Sequence, residues 1–447
     1  MVDPIVMTGA IPQVVCGASV ARFFLVMAVL GGASIHAFAQ VPDEYPKTVL
    51  PPLVEEKEVL TIDEAEMLAV ANSPEIQEIE ARVRAARWAC VQAGLPPNPT
   101  AGYTASEIGN EGQSGQQGGF IGQRFVRGGK LKYAQAVAAK EVQRLVQALA
   151  GERMKIATAV RTAYYDLYLA QQQVALSAEL VGLSEEALQT ADELADAGEG
   201  RRSDALQAKI EGQRAKVQRR QAEARLQARW RRLANLTQNT ALVAPTVEVD
   251  VERLVQHASW EETKARVLMA SPQIAEQVAA IEKAKCEVAY QRAMAVPDLN
   301  TQFSVQYDDA TGDTVAGVQI GMPIPIWNRN QGGIGRAAAE LTASRRRLDS
   351  LERGLSRRLA DTYGQYESAL VQVEAVQQDV LPSAEENLRL AKESYGAGEI
   401  TYLEMLTAQR TLFQVSLEYL AALNQLSESS QLLEGCLIAE GTVLPEG

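Results

Sequence analysis

Residues 185–208, EEALQTADELADAGEGRRSDALQA, return two hundred positions later as residues 385–408, EENLRLAKESYGAGEITYLEMLTA. Laid over each other without a gap, the two stretches share ten of twenty-four residues, among them Ala197-Gly198-Glu199 against Ala397-Gly398-Glu399 and Leu206 against Leu406. The copy reaches further back: Ser73-Pro74-Glu75-Ile76 answers Ser271-Pro272-Gln273-Ile274, and Pro99 answers Pro297, both 198 residues apart. A period of about 200 residues is too long for a solenoid, whose units run to about 50. The chain is therefore read as two fused halves, residues 61–236 and 261–440. A linker at 40–60 precedes them, an equatorial linker at 237–260 joins them and a tail at 441–447 follows.

Each half has the same internal order. Thr61 followed by Asp63 and Glu64 marks a helix start, and residues 73–94 read as a helix stopped by Gly94, Pro96, Pro97 and Pro99, since proline lacks the amide donor and forbids the helical turn before it. The second half repeats this over 272–294. Next, Leu299, Thr301, Phe303, Val305 and Tyr307 alternate with Asn300, Gln302, Ser304 and Gln306, and the alternation resumes at Val318, Ile320, Met322 and Ile324. Period-two patterning of this kind predicts a β-hairpin with one apolar and one polar face. The counterparts in the first half are residues 100–106 and 120–125, joined by a Gly- and Gln-rich loop at 109–119.

Long helices follow. No proline interrupts residues 128–197, and only Pro382 interrupts 331–397. Ile156, Val160, Ala163, Leu167, Ala170 and Val174 step by four and three, as do Leu355, Leu359, Thr362, Tyr366, Ala369, Val373, Val376 and Val380, which is a coiled-coil seam. Gly182 stands 200 residues before Pro382, so both helices are expected to kink at one height. Descending helices are read over 203–236 and 401–438. At about 1.5 Å per residue the first long helix spans roughly 105 Å and the descending one roughly 51 Å. One full-length helix then lies beside two half-length helices stacked end to end, twice per chain.

Composition narrows the function. The charge balance is 43 − 56 = −13 and only 5% of residues are aromatic, a helix-forming acidic chain with no basic patch for nucleic acid. Arg22, the apolar run 23–30, the small residues 31–34 and Ala37-Phe38-Ala39 fit an export signal over residues 1–39; a retained membrane anchor is the alternative. Beyond residue 40 no apolar run reaches 18 residues, so any membrane-spanning segments are strands. Cys90, Cys286 and Cys436 form no disulfide framework, and His257 is the only histidine after the signal, His36 falling within it, so no metal-ligand cluster is expected. Arg127-Gly128-Gly129-Lys130 lacks the spacing of a phosphate-cradling loop, and no nucleophile, base and orienting group can be nominated; neither an enzyme nor a cofactor is expected.

Four strands cannot close a barrel, yet an open sheet edge in lipid leaves backbone groups unpaired at several kcal/mol each. Three copies supply twelve strands, an even number within the range of closed outer-membrane barrels. Together with the duplication, the hairpins, the Ala-Gly-Glu helix tips and the phrase Pro323-Ile324-Pro325-Ile326-Trp327-Asn328-Arg329-Asn330-Gln331-Gly332, this resembles the TolC family of outer-membrane efflux ducts. The phrase is most similar to the cation-efflux branch typified by CzcC and CusC.

The resemblance implies a mainly α fold with a small β part: a homotrimer whose twelve-stranded barrel in outer-membrane lipid stands on a twelve-helix periplasmic tunnel. It also implies partners, a periplasmic adaptor docked on the helix tips and an inner-membrane pump that supplies the energy. By the same resemblance, Gly198, Glu199, Leu206, Gly398, Glu399 and Leu406 are the docking tips. In the family pattern an Asp, a Tyr and an Arg hold the periplasmic end shut. Asp204 and Tyr395 match, Ile400 replaces the Arg, and Arg201 or Arg202 is the candidate substitute. Glu404 matches one family acidic position and Thr407 replaces the other, giving at most a mild preference for cations.

The expected function is a passive exit duct, for heavy-metal or other cations ahead of drugs. A multidrug or type I secretion duct is the alternative within the fold, told apart by the pump. A periplasmic coiled-coil scaffold is the alternative of another class, told apart by extraction without detergent.

Overall fold

The computed structural model describes residues 59–109, 112, 114–198, 200–239, 244–251 and 259–436. The export signal, most of the N-terminal linker, Glu199, His257 and the C-terminal tail lie outside the described residues.

The duplication is visible in the order of elements. In the first half a two-residue strand β1 (Val59–Leu60) leads into α1 (Ile62–Asn72), α2 (Pro74–Gly94), β2 (Thr100–Ser106), β3 (Gln116–Phe125), the 67-residue α3 (Lys130–Asp196) and the 36-residue α4 (Arg202–Thr237). A second short strand, β4 (Thr246–Val247), opens the other half. It is followed by α5 (Trp260–Ala270), α6 (Pro272–Met294), β5 (Leu299–Asp308) and β6 (Asp313–Gly321). The second long helix is α7 (Gln331–Ala375), continued through a π-helical turn at Val376–Val380 into α8 (Leu381–Gly396), and α9 (Tyr402–Glu434) descends from it.

Local chemistry sets the helix starts. Thr61 caps α1 in a capping box with Glu64, and Ser73 accepts the Ile76 amide at 3.2 Å to cap α2 with Pro74 at its first turn. Ser259 caps α5, the serine–proline pair returns at Ser271-Pro272, and Thr401 with Glu404 repeats the capping box on α9. The expected seams are the packed lines of the bundle except at Val380, which the π-helical turn leaves 43% exposed. Val160, Ala163 and Leu167 are buried against Trp230, Leu233 and Ala65 in the first half, and Leu359, Tyr366 and Val373 against Leu423, Leu426 and Val267 in the second.

The four long strands form one antiparallel sheet in the order β2-β3-β5-β6. Residues opposite one another in an antiparallel pair share a face, so register reads out the two surfaces. One rung is Ala101, Ile121, Phe303 and Val318, all apolar; the neighbouring rung, on the other face, is Gly102, Phe120, Ser304 and Gly317. Gln302 faces Gln319 and Gly122 on that second face. Apolar side chains such as Phe303, Val305, Val318 and Ile320 are exposed, with none of the described residues covering them. Every strand meets its helix at the same end of the sheet: Thr100 after α2, Phe125 before α3, Leu299 after α6 and Gly321 before α7.

Three strand boundaries differ from expectation. β3 begins at Gln116 rather than Phe120, because Gln116, Gln117, Gly118 and Gly119 are paired on both sides by β2 and β5, and pairing overrides their poor strand propensity. β6 begins at Asp313 and ends at Gly321, so Met322 and Ile324 are not in the strand; Pro323 and Pro325 have no amide to give to a ladder. The linkers also meet: Val59 and Leu60 pair in parallel with Thr246 and Val247. The Tyr164 hydroxyl lies between the Leu60 and Glu248 carbonyl oxygens at 2.8 and 3.0 Å, a junction with no periodic signal in the sequence.

Candidate functional site at the helical tips

The two long helices reverse at Gly198 and Gly398, whose φ values of 76° and 73° lie in the left-handed region that only glycine enters without strain. A Cβ at either position would meet nothing within 4 Å, so backbone conformation and not crowding selects glycine here.

Below the turns Ala187, Ala191, Ala205, Ala208, Tyr395, Tyr402, Met405 and Leu406 form a buried cluster. Small alanines on α3 and α4 let two tyrosines fit between the helices, with the Tyr395 and Tyr402 rings 5.9 Å apart and edge on. Burial, then the charge of Asp204, raises the Tyr395 phenol; burial first, then Glu211 and Tyr395, pushes Tyr402 up to about 12. Both hydroxyls are therefore neutral donors at physiological pH. Asp204 sits in the first turn of α4 and accepts from the Ser203 hydroxyl at 3.2 Å. Arg201 and Arg202 are exposed, and neither forms an ion pair with a described residue.

Glu404 has a local partner. Its carboxylate accepts the Thr401 amide at 2.7 Å and hydroxyl at 2.9 Å, and these bonds hold it below the usual carboxylate range, charged and exposed. The duplicated leucines part company: Leu406 is 2% exposed and Leu206 58%. α9 packs on α3 as well as on α7 and α8, whereas α4 packs mainly on α3 and α1 and meets α8 and α9 at the tip; Leu206, Ile210 and Val217 of α4 are not covered by the described residues.

Sequence reading missed the ionic ties between helices at the tip. Glu185 meets Lys216 at 2.8 Å, joining α3 to α4, and Glu186 meets Lys392 at 3.3 Å, joining α3 to α8. Glu211, only 12% exposed at its side chain, meets Arg410 at 2.7 Å across α4 and α9 and Arg214 at 3.0 Å. Glu185 and Glu186 stand in the duplicated stretch, but their partners are 31 and 206 residues away and have no duplicated counterpart. Further down α4, which carries Lys209, Arg214, Lys216, Arg219, Arg220, Arg225, Arg229, Arg231 and Arg232 against Glu211 and Glu223, Arg229 and Arg232 converge on Asp166 of α3 at 3.0 and 3.3 Å.

The expected kink at Gly182 leaves no mark on helical hydrogen bonding, because α3 runs unbroken through it. The other long helix widens into its π turn directly before Pro382. Proline removes an amide and crowds the carbonyl four residues earlier, and one wider turn accommodates both defects.

The strand ends are tied to the long helices by a second cluster. Asp298, 7% exposed, accepts from Lys130 Nζ at 2.6 Å, from Arg124 at 2.5 Å and 2.9 Å, and from the Arg127 amide at 3.2 Å. Burial works to raise its carboxyl, but the Lys130 and Arg124 bonds outweigh it and hold the group at about 2.

Among the described residues no helix is long and apolar enough to cross a membrane, and no group of three or more His, Cys, Asp or Glu could hold a metal ion. Cys90, Cys286 and Cys436 are free thiols.

The sequence model for outer membrane efflux proteins matches residues 67–238 and 265–437, one match in each half. Over 299 residues, 67% of this chain and 71% of the relative, the sequence is 28% identical to the cobalt-zinc-cadmium resistance protein CzcC of Cupriavidus metallidurans. The fold is shared with a crystal structure of CusC at a TM-score of 0.68 and 18% identity, covering 83% of this chain and 91% of that one. It is shared equally with the outer membrane protein VceC of Vibrio cholerae, at 0.68, 16% identity and 84% and 96% coverage. The open-state MtrE channel of Neisseria gonorrhoeae matches at 0.67 and 18% identity over 86% and 91% of the two chains.

Proposed function

The chain belongs to the outer membrane efflux protein family, and from that premise we propose that three copies close into one continuous duct, exporting heavy-metal cations from the periplasm. The observation that carries the duct is the sheet. Among the described residues it has four strands, two open edges at β2 and β6, one mostly apolar face on which Phe303, Val305, Val318 and Ile320 are exposed, and one mostly polar face of Gln, Ser, Asn and Gly interrupted by Phe120 and Val315. In lipid such a sheet is stable only when its edges are paired and its apolar face is turned outward. Pairing β6 of each copy with β2 of the next meets both demands and puts the polar face on the lumen.

The tips serve as the periplasmic docking surface for an adaptor joined to an inner-membrane pump, which provides the energy. Asp204 and Tyr395 form the resting gate, with Glu404 as a fixed negative charge at its mouth. The likeness to CzcC supports cations as cargo. The chain's own part is to offer a wet, weakly selective exit, since choice of cargo belongs to the pump.

Deleting the gene from its host tests the cargo. Tolerance to cobalt, zinc or cadmium is expected to fall and to return with the intact gene. Unchanged metal tolerance together with lost drug tolerance would contradict the cation assignment and leave the duct.

A further inference from the structure

Among the described residues the segment after β6 is an exposed apolar stretch beyond the sheet, with Met322, Ile324, Ile326 and Trp327 all more than half exposed. Met322, Ile324 and Ile326 keep the every-second-residue spacing of Val318 and Ile320 past the end of the strand and are all exposed; Ile324 is 77% exposed and Trp327 85%. Pro323 and Pro325 alternate with them, so two of the backbone groups have no amide to leave unpaired outside water.

The backbone beneath is tied down. The Ile326 amide donates to the Ile324 carbonyl at 2.9 Å, Arg329 Nε to the Pro325 carbonyl at 3.2 Å and Gln331 to the Trp327 carbonyl at 2.8 Å. Asn330 fastens the loop to α6 through the Gln291 carbonyl at 2.7 Å. With three of its carbonyls taken locally and its apolar side chains exposed, the segment is a held loop that offers an apolar surface.

Two exposed cations flank it: Arg127, which reaches Met322 Sδ at 3.7 Å, and Arg329. At the same level, at the helix end of β3, Phe125 lies on the apolar face opposite Leu299 and is half exposed. Apolar side chains, an indole and guanidinium groups at one height are the chemistry of the headgroup boundary, where rings sit between acyl chain and water and cations meet phosphate. In the proposed duct the next copy pairs through the backbone edge of β6, which leaves the outward face of this segment to lipid.

We propose that residues 322–327 anchor the duct in the periplasmic leaflet of the outer membrane, with Trp327 seated among phospholipid headgroups and Arg127 and Arg329 facing their phosphates. The proposal rests on the duct reading and extends the membrane-facing surface beyond the strands, onto the loop that leads into α7.

Tryptophan quenching tests it in proteoliposomes of the full-length protein whose phospholipids carry bromine near the carbonyl end of the acyl chain. The chain has four tryptophans, and W327F isolates the contribution of one; the site is exposed, so the substitution spares the core. A second variant, W327F with V318W, places a reporter on the sheet face. Bromine quenching present in the wild type, lost in W327F and restored by V318W supports the anchor. Quenching of V318W with W327F indistinguishable from wild type overturns the anchor and leaves the duct standing. Absence of quenching in all three removes the membrane face of the sheet and the anchor with it.

Discussion

Asp298 is a single residue on which strand, loop and long helix meet, since its partners Arg124, Arg127 and Lys130 span the end of β3 and the start of α3. Its carboxyl titrates lower in the fold, about 2, than its ordinary 3.8. The folded state therefore binds the proton less readily, and the stabilisation, on the order of 2 kcal/mol, is fully present above pH 4 and lost as pH falls toward 2. D298N is expected to remove it at neutral pH and to cost about 3 kcal/mol, because Lys130 is left buried without its counter-charge; thermal unfolding followed by circular dichroism at pH 7 and pH 3 checks both. At the other end of the molecule, replacing Asp204 and Tyr395 together with Ala is expected to raise resting conductance in planar bilayers. Unchanged conductance would remove both residues from the gate.

Among the elements, those with long periodic signals are legible in the sequence. The heptads of α3 and α7 predict the buried lines, and the alternation of β5 predicts its two faces. Patterning alone makes β3 four residues too short, because Gln-Gln-Gly-Gly carries no strand preference and is held by neighbours supplied from about 190 residues away. β1 and β4, at two residues each, are too short to carry a period. At the tip, Gly198, Gly398 and the capping pair Thr401 and Glu404 follow local rules, and so can be found. Glu211 with Arg410 cannot, since a salt bridge between residues 199 apart has no local signature. The repeat also conceals an asymmetry: Leu206 and Leu406 are equivalent in sequence and opposite in burial, because α9 packs on α3, α7 and α8 whereas α4 packs mainly on α3 and α1. If the stripe Leu206, Ile210 and Val217 packs against the next copy, I210D with V217D is expected to shift the protein from trimer to monomer in native mass spectrometry, while helical circular dichroism stays at the wild-type level.

For the whole molecule, the deciding quantity is the number of unpaired strand edges. A chain with β2 and β6 both open, and with helices of 67 and 36 residues side by side, has the parts that the proposed three-chain cylinder requires. Membership of the outer membrane efflux family places the protein at the outer membrane, extending into the periplasm. The net charge of −13 and the single Glu404 of each chain, beside its second tip, are compatible with a mild preference for cations. The most direct test is the electrical behaviour of the purified protein, extracted with detergent, sized and then added to a planar bilayer. A trimeric duct predicts a particle of three chains that inserts to give discrete, stable conductance steps. A single-chain particle, soluble without detergent and electrically silent, would contradict it.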